Sequence, residues 1–246
     1  MAVLARDVVN QGVCDVAEIL AGMKTTGNPA PRIALVHALT HSLAPINNAL
    51  QRDWPEATRM NVLDDSLSAD LARNGQLDEA MTARFQALGD YVLGTGAQGI
   101  LFTCSAFGLC IEAVARRHAP IPVLKPNEAM IEEAVAFVAA QGGKVGLVSS
   151  FMPTLQSMPG EFPSTTPLVT AFAPGAMSAL DCGDFASHDS ATVQAAMGLA
   201  AQGCTVIALA QFSMSRAAAQ VAAATGLPVL TTVDSAIRKL KTLLGG

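Results

Sequence analysis

The sequence has few charged residues and lacks the long basic or apolar runs that point to a nucleic acid or a bilayer. Only 14% of its 246 residues are charged, the formal net charge is −5, and the lysines and arginines are scattered. Nucleic acid is not an expected partner, because binding it requires a basic patch or stripe. No apolar stretch approaches the ~20 residues of a membrane-spanning helix, so we expect a soluble protein with no membrane partner.

The cysteines lack the spacing of a disulfide framework or a metal site. There are five, at positions 14, 104, 110, 182 and 204, with no Cys-x-x-Cys pair and no nearby set of cysteine and histidine. An odd number of unpaired thiols fits a reducing compartment. Asp7 comes early and no long apolar core follows it, which argues against a signal peptide. We therefore predict a cytoplasmic protein without a metal ion.

Motifs for phosphate binding, serine hydrolysis and zinc hydrolysis are also missing. The glycines from Gly94 to Gly99 are spaced like a dinucleotide-binding motif, but they precede a predicted strand and do not follow one. Neither a Gly-x-Ser-x-Gly nucleophile elbow nor a His-Glu-x-x-His motif occurs. The sequence therefore predicts chemistry that uses no cofactor.

The residues that are abundant favour an α/β protein. Hydrophobic residues make up 51% of the chain, a composition typical of buried parallel sheets covered by helices. Short apolar runs alternate with segments of helical periodicity. Strands are predicted at residues 32–38, 58–63, 99–103, 121–124, 144–150, 168–172, 205–210 and 228–230. Helices are predicted at residues 45–54, 77–93, 109–117, 128–140, 193–201, 217–224 and 234–244.

Cys104 lies at the junction between one of these predicted strands and the helix that follows it. The run from Gly99 ends at a thiol flanked by Thr103 and Ser105, and helical periodicity resumes at Leu109. Free N–H groups and the helix dipole at such a junction lower the pKa of a thiol and hold an anionic group beside it. The alternative is an inert core cysteine, because cysteine is among the most buried residue types.

The strand that ends at Cys104 and the segments around it have counterparts in the second half of the chain. Residues 32–36, 97–99 and 122–124 recur as 144–148, 201–203 and 228–230, in the same order and at offsets of 104 to 112 residues. Such a repeat predicts two similar halves. In the second half the position of Cys104 falls on Gln211.

Two α/β halves, one carrying Thr103-Cys104-Ser105 at a strand end, resemble the aspartate/glutamate/hydantoin racemase superfamily. The superfamily also includes maleate isomerases and arylmalonate decarboxylases. The resemblance spans residues 32–240. It implies two pseudo-symmetric flavodoxin-like domains, each with a short parallel sheet flanked by helices, and an active site in the cleft between them. In the two-thiol members a cysteine stands at both strand ends, and Gln211 departs from that pattern.

The same resemblance implies that the final strand and helix return to the first domain. The expected bounds are residues 32–118 with 226–246 for the first domain and 119–225 for the second. Residues 1–31 lie outside both repeats and are expected to be an N-terminal extension, whose role stays open between an extra helix, an interface arm and sequence from an upstream start.

Substrate is expected to bind at the strand ends through hydroxyl groups and helix N-terminal amides. The candidates are Thr103, Ser105, Ala106, Ser150, Thr154, Phe212, Ser213, His37 and Asp65. Taken singly, each hydroxyl and Asp65 fit a helix cap better than a ligand contact, and His37 fits a structural core histidine; the candidates gain weight as a group. Lys125 and Arg216 lie near the same loops and either bind a second substrate carboxylate or are solvated. Asp184 and His188 are placed in a loop.

The expected catalytic pair is Cys104 and Gln211. In two-thiol racemases one thiolate removes the α-proton and the opposite thiol supplies one. A carboxamide does neither, but it donates hydrogen bonds to a developing oxyanion.

Three functions follow from this pair. Ser213, a histidine or Asp65 replaces the second thiol in a racemase or isomerase; one thiol suffices in a decarboxylase or lyase; or the chain only binds a small molecule. The expected partner is a small carboxylate, and a homo-oligomer is expected.

Overall fold

The computed structural model describes residues 30–245, so the predicted extension lies almost entirely outside the described residues. Residues 30–245 contain eight strands, β1 Arg32–His37, β2 Thr58–Leu63, β3 Gly99–Phe102, β4 Val123–Leu124, β5 Val145–Ser149, β6 Leu168–Phe172, β7 Val206–Leu209 and β8 Val229–Thr231. The same residues contain ten α-helices, α1 Leu43–Asp53, α2 Ser66–Asn74, α3 Glu79–Gly94, α4 Gly108–His118, α5 Glu128–Gln141, α6 Met152–Ser157, α7 Ala176–Asp181, α8 Phe185–Ala201, α9 Ala218–Thr225 and α10 Thr232–Leu243. Within this part of the chain no helix is both long and apolar enough to cross a membrane.

The strands form two four-stranded parallel sheets with the same topology. The first sheet has the order β2-β1-β3-β4, and the second has the equivalent order β6-β5-β7-β8. The inner strands are buried along nearly their whole length, as expected of a parallel sheet covered on both faces. In β1, for example, Ile33 and Leu35 pack on one side while Ala34 and Val36 pack on the other. The predicted α/β fold of two flavodoxin-like halves is confirmed.

Two helices cross from one sheet to the other, and the strands before them do not. β4 pairs with β3 in the first sheet, and α5, which follows it, packs through Met130 and Ala134 on β5 of the second sheet. β8 pairs with β7 in the second sheet, and α10 then packs through Ile237 and Leu240 on β1 of the first. The exchange is symmetric between the two repeats.

This arrangement corrects the sheet assignment of two strands. The expected bounds put residues 123–124 with the second domain and residues 229–231 with the first, but parallel hydrogen bonding keeps each strand beside the one before it. Only the final helix returns to the first sheet. The described residues after Ala30 form one compact unit, and the division into two domains stays a prediction.

The exchanged helices pack against each other and bring the two sheets together. Their polar sides are joined by Glu133, which accepts hydrogen bonds from Arg238 Nε at 2.8 Å and from Ser235 Oγ at 2.6 Å. Burial alone raises the pKa of Glu133, but these two donors hold it below its ordinary value. The helix pair thus links the repeats by an apolar core with a charged edge.

The carboxyl ends of the strands carry the loops in which the candidate site residues lie. All pairings are parallel, so within each sheet these loops share one edge. The 3-10 helix Thr40–Ser42 after β1 contacts the 3-10 helix Phe212–Ala217 after β7. The strand-end edges of the two sheets are therefore in contact.

Shortening Leu240 to alanine should destabilise the protein strongly, because this fully buried side chain fills the contact between α10 and the first sheet. We expect a loss of about 2–5 kcal/mol in the free energy of unfolding, measured by urea denaturation. Leu243→Ala, in the same helix but 51% exposed, is the matched control and should change stability by less than about 0.5 kcal/mol. Equal effects of the two variants would contradict the described packing of α10.

Candidate active site

Cys104 follows β3 and precedes the 3-10 helix Ser105–Phe107. Its side chain is half-buried and lines a small apolar pocket, whose walls include Phe102 and Phe107 and whose accessible volume is about 0 Å³. Burial raises the pKa of the thiol above its ordinary value, against the lowering effect of a hydrogen bond from the backbone N–H of Ala106. The expectation of a lowered pKa is therefore wrong, because the apolar wall costs the thiolate more solvation than one N–H group restores.

A buried network holds the residue before Cys104. The hydroxyl of Thr103 lies 2.9 Å from His37 Nδ1 and 2.9 Å from Ser42 Oγ. His37 Nε2 lies 3.0 Å from Asn61 Oδ1, an acceptor, so Nε2 carries the proton and Nδ1 accepts. The imidazole is fully buried, which lowers its pKa despite the hydrogen bond to Asn61. His37 and Thr103 thus use their polar groups within the protein and fix the Cys104 loop.

Gln211 occupies the equivalent position after β7 and is anchored by one end of its carboxamide. Its Oε1 accepts hydrogen bonds from Ser150 N at 2.9 Å, Ser149 Oγ at 3.1 Å and Ser150 Oγ at 3.2 Å. A backbone N–H can only donate, so the carboxamide atom facing Ser150 must be the oxygen. The Nε2 amide has no hydrogen-bond partner within residues 30–245. Two N–H donors therefore remain available on the half-buried side chain.

Ser149 was not singled out from the sequence, and Ser150 was predicted there as a substrate-binding residue, which stays a prediction. Ser149 is the last residue of β5 and is fully buried, and Ser150 is nearly so. Both hydroxyls point to Gln211. The tandem serines after an apolar strand were the available signal, but nothing in the sequence linked them to a glutamine about sixty residues later.

The other predicted site residues are in different environments. Phe212 is buried in the core of the first sheet with α1 and α10, so its ring is a packing residue. Ser105 is half-buried and Ala106 exposed, both in the turn after Cys104. Asp65 is exposed at the start of α2 and makes no side-chain cap hydrogen bond. Thr154 is buried in α6, and Ser213 is buried at the edge of a groove.

These positions form two local groups. On the first sheet the network of His37, Thr103 and Ser42 surrounds the start of the Cys104 loop. On the second sheet Ser149 and Ser150 hold Gln211. The loop containing Ser42 contacts the helical turn that begins after Gln211, so the two groups lie at adjoining edges.

No described group of three or more histidine, cysteine or acidic side chains has an arrangement that could hold a metal ion.

Lys125 forms an ion pair with Glu112 at 2.8 Å. Among the first sheet's acidic residues it is Asp64, not Asp65, that is engaged, since Arg84 Nε donates to it at 2.9 Å. Of these two neighbouring acids, Asp65 is the one whose carboxylate forms no hydrogen bond with another described residue.

Comparison with solved structures identifies the fold. The chain is similar to the aspartate racemase of Picrophilus torridus, with a TM-score of 0.66 and 11% identity over 88% of this chain and 95% of that one. The allantoin racemase of Klebsiella pneumoniae gives 0.64 and 18% over 88% of each chain. An unliganded arylmalonate decarboxylase gives 0.55 and 15% over 88% of this chain and 94% of that one.

The comparisons of sequence add nothing to this result, because no protein-family model matches the chain and no curated protein matches it either. The protein thus has the fold of the aspartate/glutamate/hydantoin racemase superfamily. The predicted resemblance is confirmed at the level of fold.

The raised pKa of Cys104 predicts its reactivity. Alkylation needs the thiolate, so modification of Cys104 by iodoacetamide should be slow near pH 7 and should still accelerate above the ordinary thiol pKa of about 8.5. Peptide mass spectrometry over pH 6.5–10 measures this rate, and exposed Cys182 reports reagent activity in the same samples. Rapid modification of Cys104 at pH 7, with no further rise at higher pH, would show that the thiol is already ionised.

Proposed function

We propose that the protein is an enzyme that moves a proton at a carbon next to a carboxylate, as a racemase or isomerase does, without a cofactor. Cys104 carries the proton and Gln211 stabilises the charge that develops on the substrate. The substrate class is a small carboxylic acid, such as an amino acid or a hydantoin-like acid. The similarity to racemase structures supports the reaction class, and the orientation of Gln211 supports the division of roles.

The orientation of the Gln211 carboxamide is the observation that carries the proposal. The Ser150 N–H and hydroxyl donate to Oε1, and the Ser149 hydroxyl shares its proton between Oε1 and Phe151 O. These contacts direct the NH₂ group away from the β5 loop. When a proton leaves carbon, negative charge spreads onto the neighbouring carboxylate oxygens. Preorganised N–H donors stabilise that charge more than they stabilise the ground state. A glutamine held by its oxygen is suited to this role.

Cys104 is the proton carrier in this scheme. In the forward direction the thiolate takes the α-proton and becomes a thiol, leaving an enediolate that faces Gln211. The raised pKa of Cys104 makes its thiolate scarce near neutral pH but also a stronger base. We therefore expect the rate of proton abstraction to rise as the pH approaches the thiol pKa.

Racemisation also needs a group that returns a proton to the opposite face. Gln211 does not titrate, and fully buried His37 has both ring nitrogens engaged. Asp65 is exposed with an uncommitted carboxylate, and Ser213 lies two residues from Gln211. An ordered water beside either residue would complete the racemase cycle.

Decarboxylation is the second candidate, and the protonated state of Cys104 favours it. In this reaction a C–CO₂⁻ bond breaks, carbon dioxide leaves, and the resulting carbanion takes the proton from the Cys104 thiol. Water then reprotonates the thiolate, so the single thiol of Cys104 and the N–H donors of Gln211 suffice. The likeness to an arylmalonate decarboxylase structure, at 15% identity, is compatible with this alternative.

Deuterium wash-in tests the proposal directly. The protein is incubated in heavy water with aspartate, glutamate, allantoin, hydantoins and arylmalonates, and the products are followed by mass spectrometry and chiral chromatography. We expect exchange or conversion of at least one acid, reduced by ~100-fold or more in Cys104→Ser. Cys182→Ser, which changes an exposed thiol, is the matched control and should retain full activity. Undiminished exchange in Cys104→Ser would remove the thiol from the mechanism.

Gln211→Glu separates anchoring from catalysis. Glutamate keeps an oxygen for Ser149 and Ser150 but replaces the NH₂ donors by a second, negatively charged oxygen. We expect the exchange rate to fall by about 10²–10³-fold, with a urea midpoint close to that of the wild type. A rate near that of the wild type would rule out a donor role for the Gln211 amide.

The pure binding function is favoured if the whole panel gives neither exchange nor product while a panel acid still protects Cys104 from alkylation.

A further inference from the structure

A groove of about 630 Å³ runs between α1 and the segment that continues from the Phe212–Ala217 turn into α9. Polar side chains of Thr40, Asn48, Ser213, Ser215 and Arg216 line it. Neither Cys104 nor Gln211 is among the residues that form its wall. The groove is therefore a space separate from the small pocket beside the thiol.

Arg216 is held in the groove from two directions. Its Nε donates to both carboxylate oxygens of Asp189, at 2.8 and 3.1 Å. Its guanidinium carbon lies 4.2 Å from the centre of the Phe185 ring, a cation–π contact. Asp189 is itself buried and lies 2.9 Å from His188 Nδ1. The plane of the guanidinium is thereby fixed without the use of its terminal nitrogens.

The terminal nitrogens of Arg216 are uncommitted. Nη1 and Nη2 form no hydrogen bond with residues 30–245, although the side chain is only 38% exposed. The second arginine of the groove differs, because Arg52 donates from Nε and Nη2 to Asp53 and Asp234. Only the Arg216 end of the groove thus offers a planar pair of charged N–H donors, with the hydroxyl-bearing Ser213 in the same turn and Thr40 also lining the groove.

We propose that this groove is a second ligand site, which binds a small carboxylic acid through Arg216. A guanidinium fork and a carboxylate match in a planar, bidentate geometry. Since Asp189 and Phe185 already order the side chain, little conformational entropy is lost when the acid binds. The site does not depend on the chemistry of Cys104, so it stands or fails independently of the proposed function.

Calorimetric titration with acetate, succinate and aspartate tests the site, at constant ionic strength set with chloride. The wild type should bind at least one of them saturably, and Arg216→Lys, which keeps the charge but loses the fork, should bind more weakly. In the double variant Arg216→Gln with Asp189→Asn the affinity should fall by about 10- to 100-fold. The double variant avoids leaving Asp189 buried without its partner. Arg73→Gln, at an arginine whose side chain is 72% exposed, is the control and should bind like the wild type.

Cys182→Ser protein alkylated at Cys104 completes the test, because exposed Cys182 would react with the same reagent. It should bind the acid with unchanged affinity, because Cys104 does not line the groove. The proposal is overturned if none of the three acids binds saturably, if the folded double variant binds as tightly as the wild type, or if alkylation of Cys104 abolishes binding. The last result would move the ligand to the pocket beside the thiol and leave the proposed function intact.

Discussion

The hydrogen bond from the Ser150 backbone to Gln211 Oε1, at 2.9 Å, determines what the second half of the molecule contributes. Without that N–H group the carboxamide is free to rotate, and its acceptor and donor ends become interchangeable. With it, and with the hydroxyls of Ser149 and Ser150 beside it, the oxygen is committed to the protein. A side chain that does not titrate thereby becomes a directed pair of donors.

In the first half, hydrogen bonds likewise fix the end of a strand, but the residue at that end is Cys104. Buried His37 and Ser42 hold Thr103, and Cys104 comes next in the chain. In both halves the second residue after the third strand of the sheet directly precedes a 3-10 helix, and neighbouring polar groups fix the backbone or the side chain at that point. The exchanged helices α5 and α10 bind the repeats together. The two halves therefore share the topology and the strand-end position, while the group at that position is a thiol in one half and a carboxamide in the other.

Local pattern predicted much of the fold. The predicted strands at 58–63 and 168–172 coincide with β2 and β6, because short apolar runs between breakers have few other solutions. The repeat correctly paired Cys104 with Gln211 as topological equivalents. Less could be predicted where the outcome depends on distant contacts. Whether a strand stays beside the strand before it or joins the sheet that its following helix covers is decided by packing, so β4 and β8 were assigned to the wrong sheets.

Long-range packing also determines the surroundings of the predicted site residues. Phe212 follows Gln211 in sequence yet is buried in the first sheet's core. The predicted loop at Asp184 and His188 is the start of α8, with Asp184 as its cap and His188 beside buried Asp189. The pKa of Cys104 was predicted in the wrong direction because part of the apolar wall beside it, including Val36, Leu67 and Phe85, comes from elements remote in sequence.

The central claim is that the Gln211 amide faces the space in which Cys104 works. It can be measured without knowing the substrate, by recording the side-chain amide of Gln211 in ¹⁵N-glutamine-labelled Cys182→Ser protein before and after Cys104 is modified with iodoacetate or iodoacetamide. The carboxymethyl group puts a carboxylate on the sulfur, and we expect it to move the Gln211 NH₂ proton signals downfield, while the neutral carboxamidomethyl group moves them less. An NH₂ signal that is the same in the unmodified and both modified proteins would contradict the account.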